Sequence, residues 1–260
     1  MKVVILAGGF GTRISEESNL RPKPMVEIGG LPILWHILKY YSSFGFNEFI
    51  ICCGHMGYTI KEYFADYYLH RSDVTFDFSD DNKMIVHSHV AEPWKVTLVD
   101  TGLNTQTGGR IRKIKKYVGA KRFFMTYGDG LSDINLNALL STHEKSGMTL
   151  TLSAVQPGSK FGMLDVNDRD GTITGFREKA KEDGNWINAG FMVIEPEVFD
   201  FIPGGEHTIF ERAPMDSLSK AGKLGVYKHH GFWQCMDTLR DRSVLERLWN
   251  GGNAPWKTWK

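Results

Sequence analysis

An α/β fold built on a largely parallel sheet is what this sequence predicts, on three observations. Residues 3–7, 49–53 and 123–127 are short apolar runs that read as strands buried on both faces. Between the first two runs lies a helical pattern with Ile33, Leu34, Ile37, Leu38 and Tyr41 on one face, and Pro32 at its start, where a missing N–H costs little. Strands alternating with helices need crossover connections, and these make neighbouring strands parallel.

The other elements follow in order. A second amphipathic stretch carries Ile60, Phe64, Tyr67 and Tyr68 against Lys61, Glu62 and Asp66. Residues 74–100 read as short strands with a turn at Asp80, Asp81 and Asn82. Residues 149–155 are another strand, and 161–166 and 172–176 form a β-rich pair around an Asp170-Gly171 turn. From about Glu195 the pattern turns helical and polar, through 243–249 to an aromatic tail holding Trp256 and Trp259. That tail reads either as an interface patch or as a cap on the core. No repeat, low-complexity segment or linker divides the chain, and 260 residues fit one large domain with a C-terminal portion packed on it.

Charge and cysteine content narrow the function. Thirty-one Lys plus Arg against 30 Asp plus Glu give no global pull toward nucleic acid or anionic lipid, so anion recognition must be local. The opening apolar run meets Gly8-Gly9 too soon for a signal-peptide core or a bilayer span, and a cytoplasmic protein is expected. Cys52 and Cys53 point to opposite faces of one strand. With Cys235 they read as reduced buried thiols rather than a disulfide or metal site.

The most informative segment runs from Leu6 and Ala7 through Gly8, Gly9, Phe10, Gly11 and Thr12 to Arg13. Glycines straight after a buried strand let backbone N–H groups approach an anion without Cβ hindrance. Thr12 adds a hydroxyl and Arg13 a fork suited to phosphate oxygens. A G-x-G-x-x-G fingerprint fails because Ile14 stands at the third glycine position, and no Gly-Lys-Ser/Thr follows for a Walker A loop. Glycines alone fit a tight turn equally well; Arg13 and the next motif favour phosphate. In that motif Pro22 and Pro24 flank Lys23, so its ammonium is expected to project from a stiff, extended segment.

Two acids and a second lysine complete the set. Gly128, Asp129 and Gly130 end a buried strand at the sheet edge where open α/β sheets bind ligands, and one carboxylate there suits Mg²⁺. Asp237 is a second metal candidate, although an N-cap for the helix that follows is the simpler reading of it. Glu178 and Lys179 offer an acceptor and a cation, or an ordinary exposed ion pair. Rival chemistries lack their parts. His87 and His89 share a strand face without a third zinc ligand, His229 and His230 are adjacent, and no G-x-S-x-G is present.

Taken together, LAGGFGTR, RPKPM, YGDG, FREK and WQCMDT resemble the sugar-nucleotidyltransferases, almost from end to end. PKPMVEIGG, PILWHI, GYTIKEYFADYYLH, EPWKVTLVDTG and GFWQCMDTLRD carry the likeness to the bacterial glucose-1-phosphate cytidylyltransferases of that family. The resemblance implies a Rossmann-like central sheet and Mg²⁺-dependent transfer of a cytidylyl group from CTP to glucose 1-phosphate, within nucleotide-sugar synthesis for surface polysaccharide. It implies a nucleotide-binding core at 1–130, a sugar-phosphate part at about 131–240, a C-terminal helix and tail at 241–260, and a homo-oligomer without nucleic-acid or membrane partners.

It also assigns residues. Backbone at Leu6, Ala7, Gly8 and Gly9 would meet base and ribose, while Gly11, Thr12, Arg13 and Lys23 would hold the triphosphate. Thr105, Arg110 and Gly128 would line the nucleotide pocket, and Asp129 and Asp237 would carry Mg²⁺. Lys179, with Glu178 and Asn188, would hold the sugar phosphate, so Arg13, Lys23 and Lys179 are the expected catalytic cations. Ala180 departs from the family's usual Glu-Lys-Pro and leaves Lys179 less rigidly presented. UTP, dTTP or GTP in place of CTP, and a silent nucleotide-sugar-binding regulatory subunit, are the alternatives, with a nucleotide-sugar-dependent glycosyltransferase as a third.

Overall fold

The computed structural model describes residues 1–14, 20–88, 92–156, 163–166, 173–177 and 185–259. Its strands begin with β1 (Lys2–Leu6), β2 (Glu27–Ile28), β3 (Leu31–Pro32), β4 (Glu48–Cys53), β5 (Val74–Asp77), β6 (Lys83–Val86), β7 (Lys95–Asp100) and β8 (Phe123–Tyr127). They continue with β9 (Gly130–Ser132), β10 (Leu150–Val155), β11 (Met163–Val166), β12 (Ile173–Arg177), β13 (Ile187–Ile194), β14 (Leu224–Lys228) and β15 (Trp233–Cys235).

Seven of these form the central sheet, in the order β14-β10-β13-β8-β1-β4-β7. The neighbours β8, β1, β4 and β7 are all parallel, as are β10 and β14; β13 alone runs antiparallel to its neighbours. Side chains along β1 and β4 alternate between two apolar cores, which is why both strands are apolar after their first residues, Lys2 and Glu48. Val3, Ile5, Phe49, Ile51 and Cys53 face one core, and Val4, Leu6, Ile50 and Cys52 the other. The adjacent thiols thus part to opposite faces, as expected, and both are free and buried.

Helix Ile33–Ser43 buries the five residues its periodicity marks and also Trp35, His36 and Tyr40, with Pro32 at the N-cap. It is covered twice, by the sheet on one side and by the chain's aromatic tail on the other. Trp256 is fully buried, stacked with Phe232 and Trp249, and Trp259 meets Trp35 edge-on. The tail therefore caps the core.

Other expectations need correction. Helix Gly57–Ala65 stops before Tyr67 and Tyr68; Tyr67 instead stacks on Trp94 and accepts a hydrogen bond from Trp35. The hairpin of β5 and β6 turns where expected, with Asp81 and Asn82 at positive φ. β11 and β12 pair antiparallel, although Asp170 and Gly171 lie outside the described residues. The stretch after Glu195 is not uniformly helical. Besides helices Ala213–Lys220 and Leu239–Asn250, it supplies sheet-edge strand β14 and short β15, which pairs with β9. Strand β13, unread in the sequence, sits beside β8; Asn188 and Gly190 break its apolar run, and Gly190 both adopts φ +85° and leaves the space of a Cβ to the Tyr127 ring.

Candidate active site

The C-terminal ends of β8, β1, β4 and β7 lie side by side, and the segments leaving them enclose a cavity of about 410 Å³. This is the edge at which an open parallel sheet presents its loops to a ligand. Leu6, Ala7, Gly8, Gly9, Gly11, Thr12 and Arg13 line it from the loop after β1. Lys23 lines it beside them, Thr105 and Arg110 after β7, and Gly128 and Asp129 after β8. Residues 13, 23 and 129 thus share one cavity. Asn188 does not line it; it lies on β13, where its Oδ1 accepts from Gly190 N and its side chain hydrogen-bonds Tyr127. Glu178, Lys179 and Ala180 lie outside the described residues.

The glycine loop is pinned at both ends. Gly128 N donates to Leu6 O at 3.0 Å and Ala7 N to Cys52 O at 3.1 Å, which continues the sheet's bonding into the loop. Gly11 turns the chain at φ 66°, and Ile14, the residue that breaks the dinucleotide fingerprint, is fully buried and anchors the loop in the core.

Lys23 departs from expectation. Pro22 is extended, but Lys23–Met25 coil into a single 3₁₀ turn, closed by Met25 N to Pro22 O at 2.7 Å. The side chain is therefore drawn inward rather than projected, and Lys23 as a residue is 9% exposed. Its Nζ lies 2.6 Å from Asp129 Oδ2 and 2.7 Å from Asp237 Oδ1. Arg13 Nη1 donates to the other oxygen of Asp237 at 2.5 Å. Burial would lower the Lys23 pKa, but the charge and hydrogen bond of Asp129, with the bond to Asp237, hold it above the ordinary lysine value. Burial would likewise raise Asp237, and Lys23 and then Arg13 outweigh it, keeping that carboxylate below the usual range.

Sheet register brings the two acids together. β15 pairs with β9 so that Cys235 faces Gly130, and Met236 N donates to Asp129 O at 2.9 Å, setting Asp237 beside Asp129. Asp237 is not the helix cap. Thr238 caps helix Leu239–Asn250, in a capping box with Asp241, and the Asp237 carboxylate is left to the cavity cations.

Among the described residues, Asp129, Cys235 and Asp237 form the group able to hold a metal, their ligand atoms within 4.8 Å of one another. Cys235 joins it against the expectation of an uninvolved thiol. Burial pushes that thiol's pKa up, and the neighbouring carboxylates push it further, so it stays protonated and ligates poorly. Two adjacent carboxylate oxygens remain, a hard donor set that suits Mg²⁺. The rival histidines are otherwise engaged: His87 bonds Thr75 and His229 bonds Asp133, while His89 is outside the described residues.

Two features of the wall escape sequence reasoning. Glu211 accepts from Tyr127 Oη and from Thr107 Oγ1, each at 2.6 Å, and so ties the loop after β7 to the end of β8. Nothing in the sequence around Glu211 marks it. Arg110 is buried, and its guanidinium turns toward main-chain carbonyls rather than outward.

A glycine loop, two cations and two carboxylates at one parallel sheet edge can bind a phosphorylated substrate with a divalent ion. The family model described as nucleotidyl transferase matches residues 2–237. This chain belongs to the nucleotidyl transferase family. It is 53% identical to a glucose-1-phosphate cytidylyltransferase of Salmonella typhimurium, over 100% of each chain. The enzyme of that name from Salmonella typhi is 52% identical, again over 100% of both. The crystal structure of HddC from Yersinia pseudotuberculosis superimposes with a TM-score of 0.67, at 24% identity, covering 95% of this chain and 99% of that one. That likeness speaks for the fold.

Proposed function

We propose that this nucleotidyl transferase moves a cytidylyl group from CTP to glucose 1-phosphate, giving CDP-glucose and pyrophosphate. The observation that carries the reaction class is the single cavity shared by the glycine loop, Arg13, Lys23 and Asp129. Cytosine and glucose follow from the full-length similarity to glucose-1-phosphate cytidylyltransferases.

In this reading a phosphate oxygen of the sugar attacks the α-phosphorus of CTP, and the bond to pyrophosphate breaks in line. The nucleophile is already an anion, so no protein base is needed. The obstacle is repulsion between two anions, and fixed cations lower it. Leu6, Ala7, Gly8, Gly9, Thr105 and Gly128 hold the base and ribose; Gly11, Thr12, Arg13 and Lys23 hold the triphosphate. Arg13 and Lys23 exchange their carboxylate contacts for phosphate oxygens as the nucleotide enters. Lys179, Glu178 and Asn188 orient the sugar phosphate. Asp129 and Asp237 would hold Mg²⁺, which when bound supplies charge neutralisation between phosphate oxygens.

The same proposal includes the division of labour between residues 1–130 and 131–240, cytoplasmic operation, a role in surface-polysaccharide precursor supply and a homo-oligomer. No helix among the described residues is long and apolar enough to cross a membrane. Pyrophosphate release measured with CTP, UTP, dTTP and GTP, with and without glucose 1-phosphate and Mg²⁺, tests the assignment. CTP is expected to be preferred, with release needing both substrates and the ion. Preference for another nucleotide, or release without the sugar, overturns it.

A further inference from the structure

Arg110 stands on helix Thr107–Lys113, 4% exposed, and among the described residues no carboxylate pairs with it. Its partners are neutral oxygens from three separate segments. Nη2 donates to Gly8 O at 2.8 Å and Leu103 O at 3.2 Å. Nη1 donates to Gly102 O at 2.8 Å, Thr101 Oγ1 at 2.7 Å and Cys53 O at 3.3 Å. One side chain thereby ties together the loops that leave β1, β4 and β7.

In a planar trans peptide the C=O and the N–H that follows point in opposite directions. With the carbonyls of Gly8, Gly102 and Leu103 drawn to the guanidinium, the N–H groups of Gly9, Leu103 and Asn104 are turned away from it. All three of those residues line the cavity, and none of the three N–H groups donates to an acceptor among the described residues. Unpaired N–H groups at a cavity wall are ready donors for oxygen or ring-nitrogen acceptors of a ligand.

The glycines around the guanidinium support this. A Cβ on Gly8 would lie 2.3 Å from Arg110 Nη1, and one on Gly54 would lie 2.4 Å from Nη1 and 2.6 Å from Gly8 O. Gly54 does not line the cavity; its lack of a side chain leaves room for the clasp itself.

We propose that Arg110 is a positioning residue for nucleotide binding, which acts by fixing the orientation of these three peptide groups through their carbonyls. The proposal rests on the nucleotide reading given above. Lysine cannot replace arginine here, because one ammonium cannot span five acceptors on three loops.

CTP affinity of the full-length protein, measured by calorimetry, and steady-state kinetics form the test. Arg110→Lys is expected to weaken CTP binding about thirtyfold and raise KM for CTP in step, while kcat changes less than about threefold. Gly54→Ala is expected to weaken CTP about tenfold, and Arg110→Ala with Gly54→Ala to be no worse than Arg110→Ala alone, since both disable one clasp. Wild-type affinity in Gly54→Ala, or penalties that multiply, overturns the proposal. Should Gly54→Ala not fold, hydrogen exchange of residues 6–13 and 101–106 in nucleotide-free Arg110→Lys decides. Faster exchange than wild type supports the clasp, and unchanged exchange removes it. Wild-type protein that binds no CTP overturns the nucleotide reading instead, while the exchange measurement still judges the clasp.

Discussion

Lys23 and Asp237 stand 214 positions apart in the chain, yet Nζ lies 2.7 Å from Oδ1, and the same ammonium reaches Asp129. A cation from the loop after β1 thus occupies the space between two acids delivered by β8 and β15. This arrangement holds a buried lysine charged and keeps the Asp237 carboxylate ionised.

Replacing Lys23 with Met removes the cation and leaves the acids side by side. Turnover, followed by pyrophosphate release, is expected to fall about a hundredfold, equivalent to ~3 kcal/mol of barrier. Turnover within a few-fold of wild type would remove Lys23 from the reaction.

Asp129→Asn is expected to cut turnover at least about a hundredfold while the melting temperature moves little, because the change relieves carboxylate repulsion as it loses an ion pair. Chelation by EDTA should have the same effect on the wild type, reversed by Mg²⁺. Near-normal turnover of the variant at saturating Mg²⁺ discards the metal role of this carboxylate.

The neighbours Asp237 and Thr238 should separate cleanly. Thr238→Ala breaks the capping box and is expected to cost about 1 kcal/mol of unfolding free energy, with turnover largely retained. Asp237→Asn should do the reverse, losing turnover with little change in helix stability. Urea denaturation and pyrophosphate assays of both variants provide the check; equal effects of the two would contradict the assignment.

His36 gives the stability a dependence on pH. Burial depresses its pKa to about 4 from 6.5. Its Nε2 donates to Ile28 O at 2.8 Å, and Nδ1 accepts from Trp256, so both ring nitrogens are satisfied in the neutral form. The unfolded chain takes up a proton below about pH 6.5 and the folded one only near 4, so stability falls as pH drops through that window. The loss is on the order of 3 kcal/mol. Urea denaturation at pH 7 and 4.5 should show it, and His36→Gln should flatten this part of the profile.

Much of this was legible beforehand, because it is local. Strands buried on both faces announce themselves as apolar runs, and the glycines read as a phosphate loop once Arg13 and Lys23 are taken with them. What the sequence hid depends on pairing between distant segments. Asp237 reads as a helix cap until the register of β15 against β9 turns it toward Lys23 and hands the cap to Thr238. β13 was lost because Asn188 and Gly190 interrupt it, one bonding Tyr127 and the other making room for that ring. Glu211 carries no motif; its meaning comes from the two hydroxyls it joins across the fold.

The buried indole of Trp256 has a consequence for folding. It shares a core with Val3 and Ile5 of β1, so segments far apart in the chain must meet before that core closes. Until Trp256 docks, the core stays open beside helix Ile33–Ser43, and final compaction waits on this long-range contact. A chain cut just before Trp256 would display an unfinished apolar surface, the kind that chaperones recognise.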